Sequence, residues 1–152
     1  MAIESMLELT DLKGESIVAG YEDQIDVYSW DWGMAQTAGA HKGGGSGAGR
    51  VSMQDLSFVK RVDSATHALM RACCNGKHFQ KAKLTVRKAG GEPMPYLEIT
   101  MEQVIISNVS TGSDTVTDGD GGEYQAENVS LNFARVAVEY TCLLYTSPSP
   151  RD

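Results

Sequence analysis

Apolar and polar residues alternate with a period of two along most of the chain, the signature of strands that bury one face. Ile3, Leu7 and Leu9 lie on one side of the first segment, with Glu4 and Glu8 on the other. Asp11 to Asp23 is polar, contains Gly14 and Gly20, and reads as a loop. A second strand is predicted from Ile25 to Met34. There Tyr28, Trp30, Trp32 and Met34 share one face, and Ile25 and Val27 share the other with Ser29 and Asp31. Val51 to Lys60 resumes the alternation, but Val51 and Met53 are out of phase with Leu56 and Phe58, which predicts a bulge near Gln54 or Asp55.

The period changes over Asp63 to Asn75. Ala65, Ala68, Leu69, Ala72 and Cys73 fall on one helical face, predicting a helix over about Ser64–Asn75. Asp63 or Ser64 can cap its first turn, and Gly76 can end it in the left-handed conformation. Strands then return. Ala82, Leu84 and Val86 oppose Lys81, Lys83, Thr85 and Arg87, and after a turn at Ala89 to Pro93, Leu97, Ile99 and Met101 alternate with Glu98, Thr100 and Glu102. The phase slips near Gln103, where Val104 and Ile106 take over. Ser110 to Gly122 is polar and reads as a loop. In the last segment Val129, Leu131 and Phe133 give way to Val136, Val138 and Tyr140. Long strands with one such slip are what a curved sheet needs. The predicted class is mainly β: a curved or closed barrel of two packed antiparallel sheets with one helix, no internal repeat and no second domain.

Gly33 to Arg50 stands apart, because Gly39, Gly43, Gly44, Gly45, Gly47 and Gly49 leave almost no side chain to bury. A loop of ~18 residues between strands is usually functional or disordered. A flexible linker is one reading, and an ordered arm that packs on another subunit is the sharper one. At 152 residues the chain is long enough for one domain with a real core. Its net charge of −7 disfavours a nucleic-acid partner and any attraction to anionic membrane. No apolar run approaches the ~20 residues that span a bilayer. Glu4 and Glu8 stand where a signal peptide would be basic and then apolar, so synthesis and folding in the cytoplasm are expected, with any export independent of an N-terminal signal.

Little in the chain points to catalysis. His41, His67 and His78 have no ligand-like neighbours at zinc spacing, and the adjacent Cys73 and Cys74 neither form C-x-x-C nor suit a mutual disulfide. Three cysteines fit a reduced compartment better than a disulfide scaffold. Asp118 to Glu123 has the look of a calcium loop but lacks the third acidic position, the spacing of the final Glu and flanking helices. Gly43-x-Gly45-x-x-Ala48 precedes a strand, whereas a dinucleotide site needs a helix N-terminus there. No cofactor, metal or catalytic set is expected.

Several stretches together closely resemble one family. They are Ile25-Asp26-Val27 with Trp30-Asp31-Trp32-Gly33-Met34, the arm His41 to Arg50, Gln54 to Phe58, Ala72 to Phe79, Leu84 to Gly91, Val109 to Gly112 and Glu127 to Ala134. In order and without large gaps, from about Met1 to Thr141, they are similar to the haemolysin-coregulated proteins, tube subunits of bacterial type VI secretion systems. The resemblance implies a β-barrel with a flanking helix, assembled into hexameric rings. Such rings stack head to tail into a hollow tube that a contractile sheath drives into a neighbouring cell and that carries effector proteins in its lumen. Sheath, spike and effector proteins are the implied partners, with neither nucleic acid nor membrane insertion. Gly33 to Arg50 would be the stacking arm, with Gly39, His41, Gly43, Gly44, Gly45, Gly47 and Gly49 its candidate contact residues. Trp30, Asp31 and Trp32 would lie in the lumen-facing, cargo-contacting region. Relatives usually carry a small hydroxyl residue at the position of Asp31, so a more acidic lumen wall is expected, favouring neutral or basic cargo.

Residues 1–141 are expected to form this domain. The remainder, Cys142 to Asp152, departs from the family and is consistent with read-through into sequencing-adapter DNA, so a native C-terminus is expected to be missing. Two other readings stay open: an evolved effector whose C-terminal toxin domain is lost, and a stand-alone barrel binding a small ligand through Trp30 and Trp32.

Overall fold

The computed structural model describes residues 3–37, 50–88 and 94–141. Nine strands and one helix follow in the order β1 (Ile3–Leu9), β2 (Ile25–Val27), β3 (Ser29–Asp31), β4 (Met34–Gln36), β5 (Val51–Met53), β6 (Leu56–Arg61), α1 (Thr66–Asn75), β7 (His78–Lys88), β8 (Met94–Thr117) and β9 (Glu123–Tyr140). They make two antiparallel sheets of unequal size. Seven strands form one sheet in the order β2-β1-β7-β8-β9-β6-β3, while β4 and β5 form a separate two-stranded ribbon.

The large sheet is not a continuous hydrogen-bonded cylinder, yet its two ends meet. Its terminal strands, β2 and β3, are successive pieces of one segment separated only by Tyr28. Ile25–Val27 pairs with β1, Ser29–Asp31 pairs with β6, and the Tyr28 N–H donates to the Val59 carbonyl at 2.8 Å. This shared segment draws the sheet around one core built from Leu7, Leu9, Ile25, Phe58, Leu84, Met101, Val104, Val129 and Leu131 among others. Each such side chain contributes on the order of 1.5–3 kcal/mol by leaving water. Leu69 and Ala72 of α1 are also buried in this cluster.

The helix begins at Thr66, slightly later than the pattern predicts, and Ala65 at its N-cap offers no side-chain acceptor. Asp63 acts one step earlier: its Oδ1 accepts the Ala65 N–H at 2.9 Å, while Thr66 Oγ1 accepts the Asp63 N–H at 3.0 Å. Gly76 ends the helix at φ 65°, as expected. The slip at Gln103 is also present. Its φ is 56°, and burial passes from Met101 to Val104 across it. Both neighbours of Gln103 stay in register with β9, through Glu102 with Arg135 and Val104 with Phe133, so Ala134 lies opposite and the partner strand slips at the same level.

Three expectations are corrected. Ile25 to Met34 is not one strand, because the segment changes partners at Tyr28 and leaves the large sheet after Asp31. The phase break at Gln54 and Asp55 is not a bulge: β5 and β6 belong to different sheets, and the Gln54 N–H donates to the Gly33 carbonyl at the junction. The polar stretch Ser110 to Gly122 is mostly strand. β8 runs to Thr117, pairs with Glu123 to Gln125, and leaves only Asp118 to Gly122 as a turn. A hairpin with nearly every residue exposed needs no apolar alternation, so the period-two signal disappears there although the pairing persists.

Candidate functional site

Leu56, Phe58, Val129 and Leu131 point into the core, so the residues between them must face the other way. The result is an open polar trough of about 590 Å³ on the outside of β3, β6, β9 and β8, lined by Asp31, Gln54, Asp55, Ser57, Ser107 and Ser130 with Asn108 at its rim. Asp55 is fixed within it. Its carboxylate accepts from the Ser107 hydroxyl at 2.6 Å and from Asn132 Nδ2 at 2.8 Å, and the Ser57 and Ser130 hydroxyls are 2.9 Å apart. Asp31 is exposed, and its carboxylate makes no hydrogen bond or ion pair among the described residues. A wall of short hydroxyl and amide groups with one free carboxylate offers hydrogen bonds without an apolar grip.

The tryptophans lie on the opposite side of the same segment. Trp30 pairs with the buried Phe58, and both indoles pack partly buried against the core. Trp32 Nε1 donates to the Gln54 carbonyl at 3.0 Å, and its ring meets Phe133 edge-on with centroids 6.1 Å apart. The structure thus brings Asp31 into the trough and sets Trp30 and Trp32 apart from it.

Gly39, His41, Gly43, Gly44, Gly45, Gly47 and Gly49 lie outside the described residues. The two ends of that stretch are described, and they are not loop: Met34, Ala35 and Gln36 pair with Met53, Ser52 and Val51. Beyond them the Thr37 N–H donates to the Arg50 carbonyl, and the Arg50 N–H returns to Thr37 Oγ1 at 3.0 Å. Facing pairs share a side of the ribbon, so Met34, Val51 and Met53 share one largely apolar face with Gln36, which lies opposite Val51. The three apolar side chains are 54%, 58% and 44% exposed.

The alternation also hides two charged clusters. Lys60 and Glu127 are fully buried, with 0% exposure each. The Lys60 ammonium pairs with Glu127, meets Asp63 Oδ1 at 2.8 Å and donates to the Arg61 carbonyl at 2.9 Å. The hydroxyls of Thr66 and Thr111 each donate to Glu127 at 2.9 Å. Every member is satisfied, as a buried polar network must be. The sequence holds a signal for this pair: Lys60 is in phase with Leu56 and Phe58, and Glu127 with Val129 and Leu131.

The second cluster sits where the sheet's ends meet. The Arg61 guanidinium lies 4.6 Å above the Tyr124 ring. Burial pushes the Tyr28 phenol up to about 12, with the Asp118 carboxylate it bonds adding to the shift. Burial likewise raises Asp26, opposed by a hydrogen bond from Ser16 and by Arg61. Arg61 itself is raised, because Tyr28, Tyr124, Asp118 and Asp26 together outweigh the effect of burial. Among the described residues no three His, Cys, Asp or Glu side chains converge as a metal site, and no helix is long and apolar enough to cross a membrane. Cys73 is partly buried against the core, and Cys74 is exposed.

A self-meeting antiparallel sheet with one helix is a fold this chain shares with proteins of bacterial type VI secretion. The family described as "Type VI secretion system effector, Hcp" matches residues 6–140, and the chain belongs to it. It is 51% identical to Protein hcp1 of Pseudomonas aeruginosa (strain PAO1) over 142 residues, covering 92% of this chain and 84% of that protein. Its fold is similar to the crystal structure of Hcp1 from Salmonella typhimurium, at 31% identity and a TM-score of 0.73, covering 93% of this chain and 88% of the other. A type VI secretion system effector from Yersinia pestis is similar at 25% identity and a TM-score of 0.70, covering 93% and 92%.

Proposed function

We propose that residues 1–141 form a tube subunit that closes into hexameric rings, stacks those rings head to tail, and carries effectors along the lumen. The subunit is made in the cytoplasm and leaves through the secretion machinery. Its partners are its own copies and the sheath, spike and effector proteins, and it performs no catalysis.

The observation that carries this reading is the ribbon. Three large apolar side chains on one face of β4–β5 stand in water, at about 25 cal/mol for each Å² left uncovered. Contiguous exposed apolar surface marks an interaction site. The ribbon leads into the glycine-rich stretch, where Gly39, His41, Gly43, Gly44, Gly45, Gly47 and Gly49 would let the backbone approach an adjacent ring closely, at an entropic cost that only docking offsets. Gly44→Val, or deletion of residues 43–47, is expected to leave the monomer folded and to abolish tubes in electron micrographs. Normal tubes from the deletion variant would refute the stacking role.

The trough would face the lumen. Its short polar side chains would let cargo pass without adhering, and the free Asp31 carboxylate would favour neutral or basic cargo over acidic cargo. Asp31→Ser is expected to reduce retention of a basic cargo and leave a neutral one unchanged, measured as cargo co-purifying with rings. Equal retention of basic cargo by both chains would remove this role.

A further inference from the structure

The outer surface of α1 carries a basic recess that neither the barrel nor the trough uses. His67, Arg71 and Asn75 are spaced four apart and so fall on one stripe of the helix. Together with Lys77 they surround a cavity of about 220 Å³ over Ala72 and Phe79. No carboxylate lines it. Lys77 Nζ lies 5.0 Å above the Phe79 ring, and neither Arg71 nor Lys77 makes an ion pair among the described residues. In a chain of net charge −7, two unpaired cations converging on a carboxylate-free recess are conspicuous.

The complementary surface is on the same chain. The hairpin joining β8 to β9 carries Asp114, Asp120 and Glu123, all exposed. The bonds Asp120 and Glu123 make are local, to the Gly122 N–H and the Thr115 hydroxyl, so both carboxylates keep their charge facing solvent. The hairpin is not seated in its own recess: no ion pair joins Asp114, Asp120 or Glu123 to Arg71 or Lys77 among the described residues, and Asp118 at the foot of the tip is hydrogen-bonded to Tyr28.

We infer that the acidic β8–β9 hairpin tip of one copy docks into the basic α1 recess of the next, as a head-to-tail contact between copies. This rests on the assembly reading above and names the surfaces that reading leaves unspecified. Two different patches on one protomer are what a heterologous interface requires. Copies that each carry −7 repel one another overall, so association needs local charges of opposite sign brought together.

The test is a charge swap in the full chain, read by sedimentation over a concentration series at low and high salt. Arg71 and Asp120 are both exposed, so circular dichroism of each variant should match the parent. Arg71→Glu or Asp120→Arg alone should weaken association at least about tenfold, and the double variant Arg71→Glu/Asp120→Arg should recover most of the loss. Raising salt should weaken the parent and the double variant alike. Single variants that assemble like the parent, or a double variant no better than either single one, would overturn this contact while leaving the ring reading intact. A parent chain that stays monomeric throughout would overturn both.

Discussion

Lys60 shows how one side chain can be both in phase with the core and unlike it. Its ammonium is fully buried among Glu127, Asp63 and the Arg61 carbonyl, so removing it leaves two carboxylates without their cation. Lys60→Met should cost about 3–5 kcal/mol of unfolding free energy, the usual penalty for breaking a buried pair from one side. Urea melts give the value, and a loss below about 1 kcal/mol, the scale of an exposed pair, would mean that the pair does not hold β6 to β9. Asp26 behaves differently. Burial raises its pKa in the folded protein, so folding favours its neutral form. That contribution is complete below the unfolded value of 3.8 and is lost as pH rises through the folded value, so at neutral pH the ionised group costs stability. Asp26→Asn should therefore be more stable than the parent at neutral pH, with the gain shrinking as pH falls toward the unfolded value. A difference independent of pH would contradict this. Asp55, Ser57, Ser107 and Ser130 follow from parity, since each lies one position from a buried neighbour, whereas Asp31, Gln54 and Asn108 do not. Which trough residue carries a free charge does not follow either: Asp31 and Asp55 look alike in the sequence, and only the Ser107 and Asn132 contacts distinguish them.

At the scale of elements, alternation marks the strands wherever one face meets the core. The helix is equally legible, because a 3.6-residue stripe of Ala65, Leu69 and Ala72 has to be covered. The ribbon strands and the Ser110 to Gly122 stretch are missed for one physical reason. β4, β5 and the outer part of the β8–β9 hairpin pair through their backbones with both faces largely exposed, so no burial pattern marks them. The break between Met53 and Leu56 is visible as a phase change. Periodicity cannot tell a bulge from a change of sheet, and here the chain passes from the ribbon to the barrel at Gln54 and Asp55.

For the whole molecule, a single segment shared by both ends of the sheet closes the core with short strands, and it leaves the trough, the ribbon and the α1 recess on different parts of the surface. Family membership follows from the match over residues 6–140 and from 51% identity to the P. aeruginosa protein. The composition of the long glycine stretch is compatible with a flexible linker or with an arm ordered by docking on another subunit, and the second is the reading proposed above. Ring closure is not legible in the same way, because it depends on how two distant patches of one copy meet another copy. The central claim is self-assembly, and the most direct measurement of it is the mass of the particle in solution by light scattering across a concentration series. The account predicts a particle of six times the 16.4 kDa of one chain, growing into longer species at high concentration. A mass that stays at that of a single chain throughout would contradict it.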